Sequence, residues 1–316
     1  EPDATRVKGK RKAFIQSFHR SRSLLRAQVP IKVYEMRYSE SVCIKKAPMG
    51  GGETMELGLK GKVVLAMASS SGLGKAMAKE FAFEGAKVVL CATNETKLEA
   101  ARKEIQETTG NSVHTIRCDL TNAKDIISAV EETTQLHGTI HVLVNNAGGP
   151  PAGGFDLFDD AAWQHAFELD FLSYVRTIRA VLPFMRKQHW GRIVNSTSSS
   201  VKQVIDNLIL SNSIRLSVLG LTKTLAQEVG KDGILVNVIG PGRFSTERIE
   251  YLDGVRAKKA GVSPEEIHAA TCREIPLGRY GNPEEYARLA VFLCSEANTY
   301  ITGQTILADG GMVKAV

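Results

Sequence analysis

The run Ser69-Ser70-Ser71-Gly72-Leu73-Gly74 has residue types and a spacing that could bind phosphate groups. It stands between a short apolar run that predicts a buried strand and a stretch with helical periodicity. Small residues at such a turn let the backbone approach a pyrophosphate, and the free N–H groups of the helix N-terminus favour its negative charge. The serines add hydroxyl donors. A lone GxG turn is weak evidence, but its place between a strand and a helix predicts a dinucleotide-binding site.

Alternating strands and helices must position this turn. Short β-branched or apolar runs predict seven strands, over Val63–Met67, Val88–Cys91, His114–Cys118, His141–Val144, Arg192–Asn195, Ile234–Ile239 and Gln304–Ala308. Amphipathic stretches between them predict helices, among them Lys75–Glu84, Glu95–Thr108, Ala123–Leu136 and Trp163–Arg186. Since this alternation is typical of right-handed βαβ crossovers, we expect an α/β fold with a doubly wound, mainly parallel seven-stranded sheet and helices on both faces.

The composition is that of a globular protein with a basic leading segment. The 316 residues are 43% hydrophobic and 23% charged. The longest apolar runs are far shorter than the roughly 18 residues that span a bilayer, so no membrane segment is expected. Residues 1–54 hold 12 Lys and Arg against 5 Asp and Glu, a balance of +7, and the remaining 262 residues hold 28 against 29, so the chain's net charge of +6 comes from the leading segment. The rest of the chain therefore gives no reason to expect nucleic acid as a partner.

We interpret residues 1–54 as a disordered or non-native leader and residues 55–316 as a single folded domain. Gly50-Gly51-Gly52 would then be a flexible joint. The alternative is a targeting or membrane-surface helix, because apolar residues from Phe14 to Val29 would share one helical face. Five scattered cysteines without a CxxC pair indicate reduced thiols, no metal site and a cytoplasmic location.

Several segments, taken in order along the chain, resemble the short-chain dehydrogenase/reductase family. They are the Gly72-Leu73-Gly74 turn, Cys118-Asp119-Leu120, Asn145-Asn146-Ala147-Gly148, Gly191 to Asn195, Pro241-Gly242, Pro276 to Glu285 and Thr302 to Gly311. The match covers Leu57 to Val313, and the NNAG motif at 145–148 is its most specific part. The resemblance implies a Rossmann-like fold, a nicotinamide cofactor, hydride transfer between that cofactor and a carbonyl or alcohol carbon, and a homo-oligomer, either a tetramer or a dimer.

The resemblance also implies which residues bind the cofactor. It places the glycine turn against the pyrophosphate, Asp119 near the adenine and the NNAG motif beside a ribose. The segment after Pro241-Gly242 would close over the nicotinamide carboxamide. The full expected set is Ser69, Ser70, Ser71, Gly72, Leu73, Gly74, Thr93, Asn94, Asp119, Leu120, Asn146, Ala147, Gly148, Arg215, Pro241, Gly242 and Thr246.

The end of the second predicted strand distinguishes the two nicotinamide cofactors. An acidic residue there binds the adenosine ribose hydroxyls of NAD and repels the 2′-phosphate of NADP. This chain has Cys91-Ala92-Thr93-Asn94 at that place, without a carboxylate. Thr93 and Asn94 can donate hydrogen bonds to a phosphate, although no arginine accompanies them. We therefore expect NADP(H), with NAD as the alternative.

The positions that the family uses for catalysis are changed in this chain. The family's set is an Asn, a Ser and a Tyr-x-x-x-Lys pair, and the matching residues here are Asp170, Ser198, Ser211 and Arg215. A tyrosine, with an ordinary pKa of about 10, can exchange protons with substrate when a cation lowers that pKa, whereas a serine is a far weaker acid. We expect Ser198 and Ser211 to hydrogen-bond a carbonyl oxygen and Arg215 to hold the nicotinamide ribose.

The proton must then come from another group. Lys202 is our first candidate, since burial beside Arg215 would lower its pKa and make it a usable acid. A solvated loop lysine is an equally good interpretation of the same residue. Tyr174, one helical turn after Asp170, is a second candidate, although a packed aromatic is favoured there. Asp170 itself is expected to pair with a cation or to complement helix polarity.

The sequence therefore predicts an NADP(H)-dependent oxidoreductase of carbonyl or alcohol substrates. The residues around Lys202, Ser211 and Arg215 resemble a divergent branch of the family that is similar to 3-oxoacyl-acyl-carrier-protein reductases. The alternative is a nicotinamide-nucleotide-binding protein with little or no turnover, acting as a sensor or a subunit partner. Attachment of the basic leader to nucleic acid is a third hypothesis.

Overall fold

The computed structural model describes residues 55–315, and these contain a seven-stranded sheet. The predicted strands are all present, with ends that differ from the expected ones by at most two residues. Their bounds are β1 (Val63–Ala66), β2 (Lys87–Ala92), β3 (Val113–Arg117), β4 (Val142–Asn145), β5 (Gly191–Ser196), β6 (Ile234–Pro241) and β7 (Thr305–Ala308). Most strand residues are fully buried, as continuous apolar runs predict for parallel strands covered on both faces.

The strands lie in the order β3-β2-β1-β4-β5-β6-β7, and every neighbouring pair is parallel. The chain therefore winds from β1 towards one edge and then, from β4, towards the other. The carboxyl ends of β1 and β4 form the topological switch point, where open α/β sheets bind ligands. The predicted fold class is confirmed.

Helices cover both faces of the sheet. They are α1 (Gly72–Phe83), α2 (Glu95–Thr109), α3 (Ala123–His137), α4 (Asp160–Phe167), α5 (Ser173–Lys187), α6 (Ile209–Val229), α7 (Glu247–Ala260), α8 (Pro264–Glu274) and α9 (Pro283–Leu293). Helices α1, α2 and α9 bury their apolar faces in one core, and α3, α5 and α6 bury theirs in a second core on the opposite face. The two cores pack against opposite faces of β1 and β4, whose carboxyl ends form the switch point.

The helix predicted over Trp163–Arg186 is present but consists of α4 and α5, with a π-helical turn between them. It begins at Asp160, because Asp159 accepts a hydrogen bond from the backbone N–H of Ala162 and caps the helix. Between α4 and α5, Glu168–Leu172 form a π-helical turn. Such turns inside α-helices are frequent at functional sites, and this one contains the buried Asp170.

None of the helices in residues 55–315 is long and apolar enough to cross a membrane. The predicted leader, residues 1–54, lies outside the described residues, and so does its predicted glycine joint.

Candidate active site

A cavity of about 1770 Å³ opens at the carboxyl ends of β1, β4 and β5. This volume exceeds the roughly 300–1,000 Å³ of an ordinary small-molecule pocket, so a dinucleotide and a substrate can occupy it together. Most of the predicted site residues line it: Ser70, Ser71, Gly72, Leu73, Thr93, Asp119, Leu120, Asn146, Ala147, Gly148, Ser198, Ser211, Arg215, Pro241, Gly242 and Thr246. Most of the expected cofactor-binding and catalytic residues therefore meet in one cavity.

The start of α1 fits a pyrophosphate. Ser71 precedes α1 and makes no side-chain hydrogen bond to its first turn within residues 55–315, so these N–H groups remain available to an anion. Position 74 requires glycine, because a Cβ there would lie 2.3 Å from the carbonyl oxygen of Ala68 and 2.7 Å from Asn146 Nδ2. Asn146 Nδ2 donates to that same carbonyl oxygen at 3.0 Å. The glycine turn and the NNAG motif are thus joined into one cradle for a dinucleotide.

Ser69 and Asn94 make structural contacts where cofactor contacts were expected. Ser69 is buried and is not among the cavity-lining residues. Its Oγ donates to the carbonyl oxygen of Ala66 (2.8 Å) and accepts from the backbone N–H of Cys91 (3.1 Å). Asn94 caps α2, because its Oδ1 accepts from the backbone N–H of Lys97 at 2.8 Å. Ser69 therefore links β1 to β2 rather than to a ligand, and Asn94 uses its acceptor to start a helix.

Asp119 is an ionised acceptor in the cavity wall that follows β3. Its Oδ1 accepts hydrogen bonds from the backbone N–H (2.9 Å) and the hydroxyl (2.7 Å) of Thr121. These bonds stabilise the charged carboxylate and lower the pKa of Asp119. Thr93 lines the neighbouring wall directly after β2, where the chain has no carboxylate.

Arg215 is buried and surrounded by acceptors. Its Nη1 donates to the carbonyl oxygens of Ser196 (3.4 Å) and Thr197 (3.3 Å), and its Nη2 donates to that of Gly148 (3.3 Å). Nη2 also lies 2.7 Å from Asp170 Oδ1, so Asp170 pairs with a cation as expected. Arg215 therefore connects the end of β5, the NNAG loop and the π-helical turn.

Burial disfavours the charge of both members of this pair. Burial raises the pKa of Asp170, and the Arg215 guanidinium offsets part of that rise. Neither oxygen of Asp170 accepts an aligned hydrogen bond from residues 55–315. Burial is the largest effect on Arg215 and opposes its charge, but Asp170, Tyr174 and Tyr286 together outweigh burial, so the pKa of Arg215 is raised and the guanidinium stays charged.

Ser198 and Ser211 present hydroxyl groups to the cavity. Ser198 stands before a short 3-10 turn after β5, and its Oγ accepts from the backbone N–H of Ser200 at 3.1 Å. Its own proton is therefore free to be donated. Ser211 lies one helical turn before Arg215 on α6, so both side chains share the face that lines the cavity.

Neither expected proton donor reaches this group of side chains. Lys202 is exposed and outside the cavity lining, so its expected burial beside Arg215 is wrong. Lys202 directly follows the 3-10 turn at Ser199–Val201, whose own residues are buried. Tyr174 is fully buried, its hydroxyl donates to the carbonyl oxygen of Ser196 at 2.7 Å, and burial raises its pKa. It is a packed aromatic, as the favoured interpretation held.

The substrate end of the cavity is closed by Gly149 and by many positions between Phe244 and Arg273. Arg248 on α7 reaches across and donates to the carbonyl oxygen of Pro150 at 2.6 Å. Arg248 belongs to none of the sequence motifs, so nothing in the sequence indicated that its side chain faces the cavity.

The side chain of Asp253 anchors α7 beside the cavity. It is buried and accepts hydrogen bonds from the hydroxyl of Tyr280 (2.7 Å) and from Arg243 Nη1 (3.4 Å). Burial, together with the hydrogen bond to Asp253, raises the pKa of Tyr280 to about 12. The tyrosine therefore stays a donor, and the helix that carries Arg248 is held in place.

Comparison with known proteins agrees with this geometry. A family model described as enoyl-(acyl carrier protein) reductase matches residues 67–313. The 3-oxoacyl-[acyl-carrier-protein] reductase FabG of Aquifex aeolicus is 34% identical over 260 residues, which cover 82% of this chain and 100% of that protein.

Solved structures of reductases have the same fold. The L-sorbose reductase of Gluconobacter frateurii, complexed with NADPH and L-sorbose, has a TM-score of 0.79 at 34% identity, covering 83% of this chain and 100% of that one. An NADPH-bound short chain oxidoreductase of Pseudomonas aeruginosa PAO1 with an atypical catalytic center has a TM-score of 0.73 at 29% identity, covering 81% and 98%. The predictions of the family and of an oxidoreductase acting on carbonyl and hydroxyl groups are confirmed. This chain belongs to the short-chain dehydrogenase/reductase family.

Proposed function

We propose that this protein is an NADP(H)-dependent oxidoreductase, similar to 3-oxoacyl reductases, that interconverts a carbonyl and an alcohol on a small molecule. The observation that carries the proposal is the single cavity in which the start of α1 meets the hydroxyls of Ser198 and Ser211. Relatives solved with NADPH, and the absence of a carboxylate directly after β2, support NADP(H) as the cofactor.

The chain's own residues hold the cofactor along the switch point. The first turn of α1 would receive the pyrophosphate, and, as the resemblance implies, Asp119 would lie near the adenine and the NNAG motif beside a ribose. When bound, the reduced nicotinamide supplies the hydride. Arg215 is a positioning residue in this arrangement, because its guanidinium nitrogens are directed to Asp170 and to backbone carbonyls on both sides of the cavity.

Ser198 and Ser211 act on the substrate oxygen. Their hydroxyls donate hydrogen bonds to the carbonyl and stabilise the negative charge that grows on oxygen when the carbon is reduced. The oxygen then takes one proton to become an alcohol. We assign that proton to solvent in the open cavity, since Lys202 is exposed and Tyr174 is sealed in the core.

Cofactor titration followed by a carbonyl panel tests the proposal. NADPH binding is measured by its fluorescence, and turnover by loss of its absorbance with ketones, oxo acids, sugars and 3-oxoacyl thioesters. Turnover of at least one class supports a reductase. Tight NADPH binding with no turnover of any class would favour the alternative, a nucleotide-binding protein with little activity.

We also propose a homo-oligomer, either a tetramer or a dimer, as the resemblance implies. Apolar side chains remain exposed on the helices that would meet a second copy, with Phe167 on α4 and Leu216 on α6 as examples. Sedimentation equilibrium tests this, because a tetramer or dimer has a multiple of the 34.4 kDa chain mass. A mass of one chain at micromolar concentration would exclude both. The predicted cytoplasmic location stays a prediction.

A further inference from the structure

Arg248 has an unusual position for a cation. It is half-buried in the first turn of α7 and lines the cavity. Its Nη2 donates to the carbonyl oxygen of Pro150 at 2.6 Å, and its guanidinium lies 5.5 Å from the ring centre of Tyr251. A Cβ on Gly149 would lie 2.8 Å from the same nitrogen, so the side chain rests directly on this loop.

The surroundings of Arg248 disfavour its charge. No carboxylate of residues 55–315 lies within ion-pair distance of it, although several other arginines of this region have one. The first turn of a helix carries partial positive charge and repels a cation. Burial, and then the nearby guanidinium of Arg215, lower the pKa of Arg248. An anion bound beside Arg248 would offset the effects of the helix start, of burial and of the nearby Arg215 guanidinium.

The direction of Arg248 separates it from the pyrophosphate site. Thr246 lies beside the glycine turn, with its Cγ2 3.8 Å from the position of a Cβ on Gly72. Glu247 points to α2, where its carboxylate meets Lys97 Nζ at 2.9 Å. Arg248 points instead to Pro150, two residues after the carbonyl that Arg215 contacts. It therefore faces the end of the cavity where Ser198 and Ser211 lie.

Neighbouring helices extend this basic character. Three further cations of α7 and α8 line the cavity, and they are Arg256, Lys259 and Arg273. The buried Asp253 is shared between Arg243 (3.4 Å) and Arg256 (3.9 Å). The described lining as a whole holds seven arginines and lysines against four carboxylates, Asp119, Asp206, Glu247 and Glu274. The cavity wall therefore carries net positive charge.

We propose that Arg248 binds a carboxylate group of the substrate, so that the preferred substrates are oxo acids and the corresponding hydroxy acids. The inference rests on the proposed function and narrows its substrate class. A guanidinium binds a carboxylate through two parallel hydrogen bonds, which fixes the orientation as well as the position of the molecule. Held in this way, the substrate presents its carbonyl oxygen to the two serine hydroxyls.

Matched substrates and variants test the inference. Each oxo acid of the panel is compared with its methyl ester, which has the same carbonyl but no charge. For Arg248→Gln we expect KM to rise about 10- to 100-fold for the acid and to change little for the ester. Arg248→Lys keeps the charge but not the two parallel donors. Its KM for the acid should lie between the values of the wild type and of Arg248→Gln. Arg102→Gln, an arginine of α2 outside the cavity, is the control and should leave both KM values unchanged.

A binding measurement separates this inference from the proposed function. The melting temperature of the NADP⁺ complex is measured with a hydroxy acid and with its amide. Stabilisation by the acid alone, lost in Arg248→Gln, supports the inference even where no substrate is turned over. Absence of that stabilisation overturns the inference. Equal KM values for acid and ester, in the wild type and in Arg248→Gln alike, also overturn it. A weakened NADPH affinity of Arg248→Gln with an unchanged KM for the acid would assign Arg248 to the cofactor and also overturn it.

Discussion

Arg215 Nη2 lies 2.7 Å from Asp170 Oδ1, and both side chains are almost completely removed from solvent. The resemblance matches these two positions to the lysine and the asparagine of the family's catalytic set. As an arginine and an aspartate they supply a fork of donors and a negative charge. The pair joins α6 to the π-helical turn, and Arg215 also contacts backbone carbonyls after β4 and β5.

We expect the two halves of this pair to differ in their effect on stability. Arg215→Gln removes the cation and leaves a buried carboxylate without its partner, which costs about 3–5 kcal/mol of unfolding free energy. Asp170→Asn should cost much less, because burial already disfavours the carboxylate and an amide oxygen can still face Arg215. Urea denaturation at neutral pH measures both values. The double variant should be more stable than Arg215→Gln alone.

The same pair gives a pH dependence with a defined sign. The pKa of Asp170 is raised in the folded protein, so its stabilising contribution is complete below the ordinary value of 3.8 and is lost as pH rises through the raised value. The asparagine of Asp170→Asn does not titrate. The unfolding free energy of this variant should therefore increase relative to that of the wild type as pH rises from 3.8 through the raised pKa of Asp170. If the variant instead loses stability relative to the wild type as pH rises, the pKa of Asp170 in the folded protein lies below its ordinary value.

Replacing the two serines tests their action on the substrate oxygen. Ser198→Ala and Ser211→Ala each remove one hydrogen-bond donor, and we expect kcat to fall about 100-fold for either variant. NADPH affinity should remain unchanged, because the hydroxyls act on the substrate. Steady-state kinetics with the best panel substrate measures the first value and fluorescence titration the second. A variant with normal kcat would remove that serine from the mechanism.

Lys202→Ala tests the proton donor that the sequence favoured. The side chain is exposed and outside the cavity lining, so we expect kcat to change less than about 3-fold, against the roughly 100-fold loss typical of a missing general acid. Lys187→Ala, at the end of α5 and also exposed, is a suitable surface control. A large loss confined to Lys202→Ala would restore its assignment as the acid.

The fold could be predicted from the sequence because its signals are local. Val88 to Cys91 and Ile234 to Ile239 are β-branched or apolar runs of strand length, and buried parallel strands require such runs. The π-helical turn at Glu168–Leu172 escaped prediction, since one extra residue in a helix leaves the apolar spacing on both sides almost unchanged.

The site could be located but not resolved into side-chain directions. The motifs indicated which loops meet at the switch point, and the cavity has those loops in its walls. Ser69 and Lys202 are both adjacent in sequence to cavity residues, but neither lines the cavity. Ser69 is buried against β2, and Lys202 is exposed. Arg248 escaped notice because its contact with Pro150 joins residues 98 positions apart.

Cofactor preference depends on the last residue of β2. Ala92 lines the cavity there, and we expect Ala92→Asp to raise the Kd for NADPH at least 10-fold, because a carboxylate at this place repels the 2′-phosphate and binds the ribose hydroxyls of NADH. The Kd for NADH should fall or stay the same. Fluorescence titration with both cofactors measures the change.

Ala92→Asn has nearly the same size as the aspartate variant and no charge, so it separates repulsion from crowding. If charge decides, the asparagine variant keeps most of its NADPH affinity, and the aspartate variant recovers part of its loss at high salt, which screens exposed charges. Equal losses in the two variants would mean that the end of β2 selects by shape. The phosphate would then be recognised elsewhere, and Thr93 would lose its assigned contact.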